Sequence, residues 1–293
     1  VDIQRQQDVA AVRVTRYETG FGPGRVLIAG PPDGLPVVLV HGYAASADQW
    51  RRLIPYLAET YPVYAPDLLG FAGAPAPPPP YTPARWAEQL GRLLAALPRA
   101  VLVGHSLGGL IVLAAAHRFP ERVAGLVLMD SLGRPAPSVE RVLGGPTGVL
   151  VRLLRAPGVG EVIFWGLRGQ RTLARALALG AYADPARAPA DALATWLDLI
   201  HRPGAHRAYL SVVRQIETLL ASYQPGELAQ PALIIWGAAD RGLPVRLAHE
   251  FLQILPQAGI VIIPGCGHVP QSEQPAATAA ALLPFLAGVA AGV

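Results

Sequence analysis

Three residues that could share the work of acyl transfer stand in this 293-residue chain where a sheet could bring them together: Ser106, Asp240 and His268. A serine hydroxyl is a weak nucleophile until a neighbouring imidazole takes its proton, and the imidazole does so best when a carboxylate fixes its tautomer. Ser106 has the most informative surroundings. It is the centre of Gly104-His105-Ser106-Leu107-Gly108, which follows the apolar run Ala100 to Val103 and precedes the helical pattern Leu110 to His117. A serine on such a strand-to-helix turn points its hydroxyl out of the sheet edge, and the small residues two positions before and after it leave room for a strained backbone. The N–H of Leu107, at the start of the new helix, is then free to bind a developing oxyanion.

Two more buried strands, Ala232 to Trp236 and Gly259 to Ile263, each deliver one ionisable residue to the loop beyond their C-terminal end. These are Asp240 in Gly237-Ala238-Ala239-Asp240 and His268 in Pro264-Gly265-Cys266-Gly267-His268. In a parallel sheet both loops share the edge that carries Ser106, in the chain order Ser, Asp, His. Asp130 follows the strand Val123 to Met129 and could also reach the last loop, so the sequence offers two aspartates. Its place at the start of a long connection favours Asp240 as the acid. The second oxyanion donor is expected after the strand Val37 to Val40, where His41-Gly42-Tyr43 follows. Tyr43 offers its N–H and His41 fixes the loop. Asp67, after the strand Pro62 to Ala65, is read as a turn aspartate bonding N–H groups two residues on.

The elements that must position these groups alternate. Val9 to Tyr17 and Arg25 to Ala29 form an opening hairpin across a Gly/Pro turn, and the later strands are separated by helical patterns over Ser46 to Ala58, Thr82 to Leu97, Leu110 to His117 and Val245 to Leu255. That order requires an α/β fold: eight strands, mostly parallel, flanked by helices. From Leu132 to Pro225 no strand-like run occurs, and the helical patterns break at Gly144 to Pro146, Ala156 to Gly160, Ala183 to Pro189 and Arg202 to Gly204. Residues 132–225 are therefore expected to be a helical cap, inserted in a core of residues 1–131 and 226–293 and lying over the C-terminal strand ends.

Composition narrows the partners. With 52% hydrophobic and only 15% charged residues, against about 25% charged in an average domain, the chain buries a large core and is not disordered. One cysteine, Cys266, rules out an intramolecular disulfide and a cysteine-built zinc site. The cap carries eleven arginines against six acidic residues and so accounts for the formal charge of +4, without the arginine–aromatic pattern of a nucleic-acid binder. Ala276 to Val293 is uncharged, but its Ala and Gly content and Pro284 mark a helix packed on the sheet, not a membrane span. No cofactor and no metal are expected, and the chain is expected to be a monomer or homodimer. A cytoplasmic protein is expected; the chain starts at Val1 without methionine, which leaves a removed leader open.

HGYAAS from His41, DLLGFAG from Asp67, GHSLGG from Gly104, LIIWGAAD up to Asp240 and GCGHVPQSEQP up to Pro275 together resemble the α/β-hydrolase family, and within it the esterase-like members with a helical cap. That resemblance implies Ser106 as nucleophile, Asp240 as acid, His268 as base, and Tyr43 and Leu107 as oxyanion donors. The chain departs from the family at Ala72 and Ala74, where Gly and Ser are common. The serine separates it from the haloalkane dehalogenases and epoxide hydrolases of this fold, which carry an aspartate there. Ester hydrolysis is the implied activity, with a small-molecule ester as the implied partner. A carbon–carbon bond hydrolase with the same triad and a non-catalytic ligand receptor are the other readings.

Overall fold

Side chains alternate across every inner strand, and the four-residue strand Val37–Val40 shows the result most simply. Val38 and Val40 face one hydrophobic layer with Trp86 and Leu110, while Val37 and Leu39 face the other with Trp50 and Leu282. A sheet buried on both faces needs unbroken apolar strands, as the sequence supplies. The computed structural model describes residues 12–133, 152–167, 170–221 and 228–292. Its strands are β1 (Arg13–Glu18), β2 (Pro23–Ala29), β3 (Val37–Val40), β4 (Val63–Pro66), β5 (Ala100–His105), β6 (Val123–Met129), β7 (Ala232–Gly237) and β8 (Gly259–Ile263). They form one eight-stranded sheet in the order β1-β2-β4-β3-β5-β6-β7-β8. β1–β2 and β2–β4 are antiparallel, and every later pair is parallel. The expected mostly parallel sheet is thus observed. Residues 9–11 of the expected first strand lie outside the described residues.

The helices are α1 (Ile54–Ala58), α2 (Pro83–Leu94), α3 (Leu107–Arg118), α4 (Val159–Leu167), α5 (Arg171–Leu179), α6 (Ala192–His201), α7 (Ala205–Ala221), α8 (Arg246–Glu250), α9 (Pro270–Glu273) and α10 (Pro275–Ala291). α2 starts where its sequence says it should: Thr82 Oγ1 accepts from the Arg85 N–H at 3.2 Å, with Pro83 at the first helical position. The expected helix from Ser46 to Ala58 is corrected. A 3-10 turn at Ala47–Trp50 precedes α1. Pro55 has no N–H for the Arg51 carbonyl, so a continuous α-helix cannot pass it. Likewise α8 is a single turn followed by a 3-10 turn at Phe251–Gln253. α10 lays Leu282, Leu286 and Val289 against the same layer as Ala124 and Ile235. Each such buried side chain contributes roughly 1.5–3 kcal/mol of transfer free energy. No helix among the described residues is long and apolar enough to cross a membrane.

α4 to α7 all lie between β6 and β7. The expected break at Ala156 to Gly160 runs into the first turn of α4, and the one at Arg202 to Gly204 falls between α6 and α7. The one at Ala183 to Pro189 holds a 3-10 turn at Pro185–Arg187. The break at Gly144 to Pro146 and the expected end of the segment at Pro225 lie outside the described residues.

Candidate active site

β5, β6, β7 and β8 are consecutive in the sheet and parallel, so the loops after them leave from one edge. Ser106, Asp130, Asp240 and His268 follow those four strands in turn. Ser106 sits between β5 and α3 with φ 52° and ψ −117°, a left-handed conformation that costs a non-glycine residue about 1–3 kcal/mol. The surroundings hold it there. Its N–H donates to the Met129 carbonyl at 3.0 Å, and its carbonyl accepts from the Leu132 N–H at 2.9 Å and the Gly109 N–H at 3.0 Å. A methyl at Gly104 would collide with the Gly108 carbonyl, and one at Gly108 with the Val40 carbonyl, which is why the turn needs glycine on both sides of the serine.

The loop after β8 must cross the ends of β7 and β6 to approach Ser106, and its bonds trace that path. The Ala239 N–H donates to the Cys266 carbonyl at 2.8 Å, and Gly237 lies so close to the Gly267 carbonyl that a side chain there has no space. His105, the neighbour of Ser106, then donates from Nε2 to the His268 carbonyl at 2.6 Å, with the two rings 4.8 Å apart. Burial, reinforced by His268, lowers the His105 pKa to about 3, so this ring stays neutral and its donor does not titrate near neutral pH. His268 itself bonds Asp240 Oδ2 through Nδ1 at 2.7 Å, which leaves Nε2 as the proton acceptor. Asp240 Oδ1 accepts the N–H groups of Gly242 at 2.7 Å and Leu243 at 2.9 Å. Burial alone would raise the Asp240 pKa, but the bonds from His268 and Leu243 hold it below the usual carboxylate range. The structure therefore brings Asp240 and His268 into direct contact and sets His268 beside the residue preceding Ser106.

On the other side of Ser106 runs the His41-Gly42-Tyr43 loop. A methyl at Gly42 would stand 3.1 Å from Ser106 Cβ and 2.9 Å from His105 Nδ1. The Tyr43 N–H follows directly. Leu107 is the first residue of α3, so its N–H has no carbonyl four residues back to pair with inside the helix. His41 holds the loop by donating from Nδ1 to the Gly42 carbonyl at 2.8 Å and accepting the Leu68 N–H on Nε2 at 3.0 Å. That is the structural part expected of it. Asp67 also fixes this region, with a correction. Its oxygens accept from the Ala47 N–H and the Gly73 N–H, both at 2.8 Å, and pair with Arg25 at 2.6 Å, rather than from N–H groups two residues on. The buried carboxylate is drawn to the nearest cation, and Arg25 on β2 lies across the antiparallel pair.

The segment between β6 and β7 reaches this edge at three points. The Tyr43 hydroxyl donates to the Tyr209 carbonyl on α7 at 3.1 Å, within a ring cluster of Tyr43, Phe71, Tyr209 and Phe164. The His268 N–H donates to the Ala181 carbonyl at 2.8 Å. Buried Glu273 accepts the N–H groups of Ala183, Asp184 and Gly267 at 3.1, 3.0 and 2.8 Å, tying the segment to the histidine loop. Glu273 and His105 are the two residues that sequence reasoning does not single out. The one available signal is that Glu273 is the only charged residue from Cys266 to the chain end. A separate cavity of about 390 Å³, lined by Glu161, Arg207 and Arg214 among others, includes none of Ser106, Asp240 and His268.

Comparison with known proteins gives one family. A family model described as the alpha/beta hydrolase fold matches residues 36–275. The pimeloyl-[acyl-carrier protein] methyl ester esterase of Edwardsiella ictaluri is 31% identical, over 86% of this chain and 93% of that one. The 2-hydroxymuconate semialdehyde hydrolase of Pseudomonas sp. strain CF600 is 29% identical, over 98% of this chain and 94% of its own. Among solved structures, the 2-hydroxy-6-oxo-6-phenylhexa-2,4-dienoate hydrolase from Rhodococcus sp. strain RHA1 superposes with a TM-score of 0.78 at 26% identity, covering 95% of this chain and 99% of that one.

Proposed function

We propose, since the chain belongs to the alpha/beta hydrolase fold family, that this hydrolase cleaves carboxylic esters of small to medium hydrophobic substrates through Ser106, His268 and Asp240. Ser106 Oγ attacks the ester carbonyl carbon while His268 Nε2 takes the hydroxyl proton. The electron pair of the C=O bond moves onto oxygen, and the N–H groups of Tyr43 and Leu107 hold that oxyanion. When the tetrahedral centre collapses, the alcohol leaves with the proton from His268. Water, deprotonated by the same nitrogen, then attacks the acyl-enzyme and returns Ser106 with release of the acid. Asp240 keeps the imidazole in the Nδ1–H tautomer and stabilises its charged form during both halves.

The observation that carries this reading is the 2.7 Å Asp240–His268 bond on the sheet edge that also holds Ser106 at φ 52°. Residues 132–225 serve as the cap over the core of residues 1–131 and 226–293, a reading supported by the bonds of Tyr209 to Tyr43, Ala181 to His268 and Ala183 to Glu273. An ester is favoured by the exposed ring of Tyr43, backed by buried Phe71 and Tyr209, which presents an uncharged carbon surface. The 29% likeness to a muconate semialdehyde hydrolase favours a second reading, cleavage of a carbon–carbon bond beside a ketone with the same residues.

A panel of p-nitrophenyl esters from acetate to palmitate, run beside a vinylogous 1,5-diketone with Ser106→Ala as the blank, decides between them. The expected result is multiple turnovers on the esters with a preference for short to medium chains. Diketone cleavage with a kcat/KM on the order of 100-fold above the best ester replaces this reading with the second, a difference of roughly 3 kcal/mol in transition-state binding. Tight binding without turnover of any substrate makes the protein a receptor.

A further inference from the structure

The acid–base pair has a third member that the mechanism above does not use. Asp130, directly after β6, is fully buried, and its backbone is held at φ 40°. Its Oδ1 accepts the Gly237 N–H at 3.0 Å, whereas Oδ2 is buried with no hydrogen-bond donor among the described residues. One oxygen of Asp130, one of Asp240 and one ring nitrogen of His268 lie within 4.8 Å of one another. A buried carboxylate oxygen without a donor costs several kcal/mol when charged, and here its close neighbour is a second carboxylate. Two acceptors so close together in a buried site lack one hydrogen. We propose that Asp130 is a positioning residue: a neutral acid that donates a hydrogen bond to Asp240 and so fixes the carboxylate on which His268 rests.

The charged groups that weigh most on Asp130 among the described residues, Asp240 and Glu273, both favour its neutral form. Asp240, on the turn after β7, bears the charge that His268 needs, and Glu273 on α9 adds a second negative charge. Burial first, then Asp240, pushes the Asp130 pKa well above the usual carboxylate value. The N–H of Gly237 pulls the other way. Cys266, on the histidine loop, is itself raised to about 12 by burial and nearby Glu273, so its thiol stays neutral too. With one proton for two carboxylates, the pair takes up its charges in sequence, and the first falls on Asp240, which has two loop N–H groups and His268 to bind it. The proton stays between the two oxygens through the whole cycle.

This inference rests on the proposed triad, and the deciding test does not use activity. Infrared difference spectra of the wild-type protein at neutral pH should contain the carbonyl stretch of a protonated carboxylic acid, lost on titration to high pH and absent from Asp130→Asn. No such band in the wild type, or one that survives in Asp130→Asn, overturns the proposal whatever becomes of the ester reading. Stability reports on the same proton. A raised folded pKa means the native state holds a proton that the unfolded chain has released, so the wild type loses stability as pH rises from the ordinary aspartate range to the raised value. Relative to Asp130→Asn, its unfolding constant should grow about tenfold per pH unit through that window. Parallel pH profiles of the two proteins contradict a bound proton. In kinetics, the amide of Asp130→Asn replaces the O–H donor and should keep kcat within about tenfold, without the wild-type fall at alkaline pH. Asp130→Leu, with no donor, should lose about ten- to a hundredfold in kcat at unchanged KM. Equal kcat values and pH profiles for the Asn and Leu variants would also reject it.

Discussion

Ser106→Ala is expected to lose on the order of 10⁶ in kcat on the proposed ester substrates and to stay folded. The size of the loss follows from what the serine supplies. Without Oγ there is no acyl-enzyme, and His268 has no hydroxyl to deprotonate, so Asp240 and His268 lose their effect together with the nucleophile. What remains is the positioning of substrate and the two N–H groups of Tyr43 and Leu107, which leave a residual acceleration of about 10³–10⁴ over water. Folding should be indifferent or slightly helped. Ser106 holds its strained turn through backbone bonds to Met129, Leu132 and Gly109, none of which uses Oγ. Steady-state rates together with a urea unfolding curve check both halves. A fall of less than about a hundredfold would mean that another group attacks the substrate.

Asp240→Asn is expected to lower kcat by about 10⁴ with little change in KM. The direction in which the amide must point decides the effect. Oδ1 of Asp240 accepts two N–H groups, from Gly242 and Leu243, so the asparagine oxygen has to stay on that side and its NH₂ turns to His268. Facing a donor, His268 Nδ1 becomes an acceptor, and the ring proton moves to Nε2, the nitrogen that should take the proton of Ser106. The base is then in the wrong tautomer while the fold is intact. Asp130→Asn, measured on the same ester, should change kcat by less than about tenfold. The reverse ordering would transfer the acid to Asp130 and reduce Asp240 to a cap for the Gly242 turn.

The parts of the fold that can be read from the chain are those a local pattern encodes. Ala100 to Val103 ahead of GHSLGG announces both β5 and the turn after it, and Thr82-Pro83 marks the start of α2, because caps and strand periods are written in neighbouring residues. Asp240 and His268 are legible for the same reason: each follows an uninterrupted apolar strand. The rest depends on contacts between distant residues. Nothing near Ser46 reveals that Asp67 takes the Ala47 N–H. Nor does the sequence tell that His105 on β5 binds the His268 carbonyl 163 residues later. For Asp130 the sequence shows only a place before a long connection, whereas its environment is made by β7 and the histidine loop packing over it. A residue's charge state belongs to that third level, and no spacing rule reaches it.

The most direct measurement of the central claim is stoichiometric labelling with a fluorophosphonate, followed by peptide mapping. The phosphorus of such a probe is attacked as an ester carbonyl would be, fluoride leaves, and the tetrahedral adduct stays on the nucleophile in the oxyanion site. One adduct per chain, on the peptide containing Ser106, formed at a rate that falls sharply in Asp240→Asn, is the predicted result. An adduct on any other residue, or equal labelling of Ser106→Ala, contradicts it.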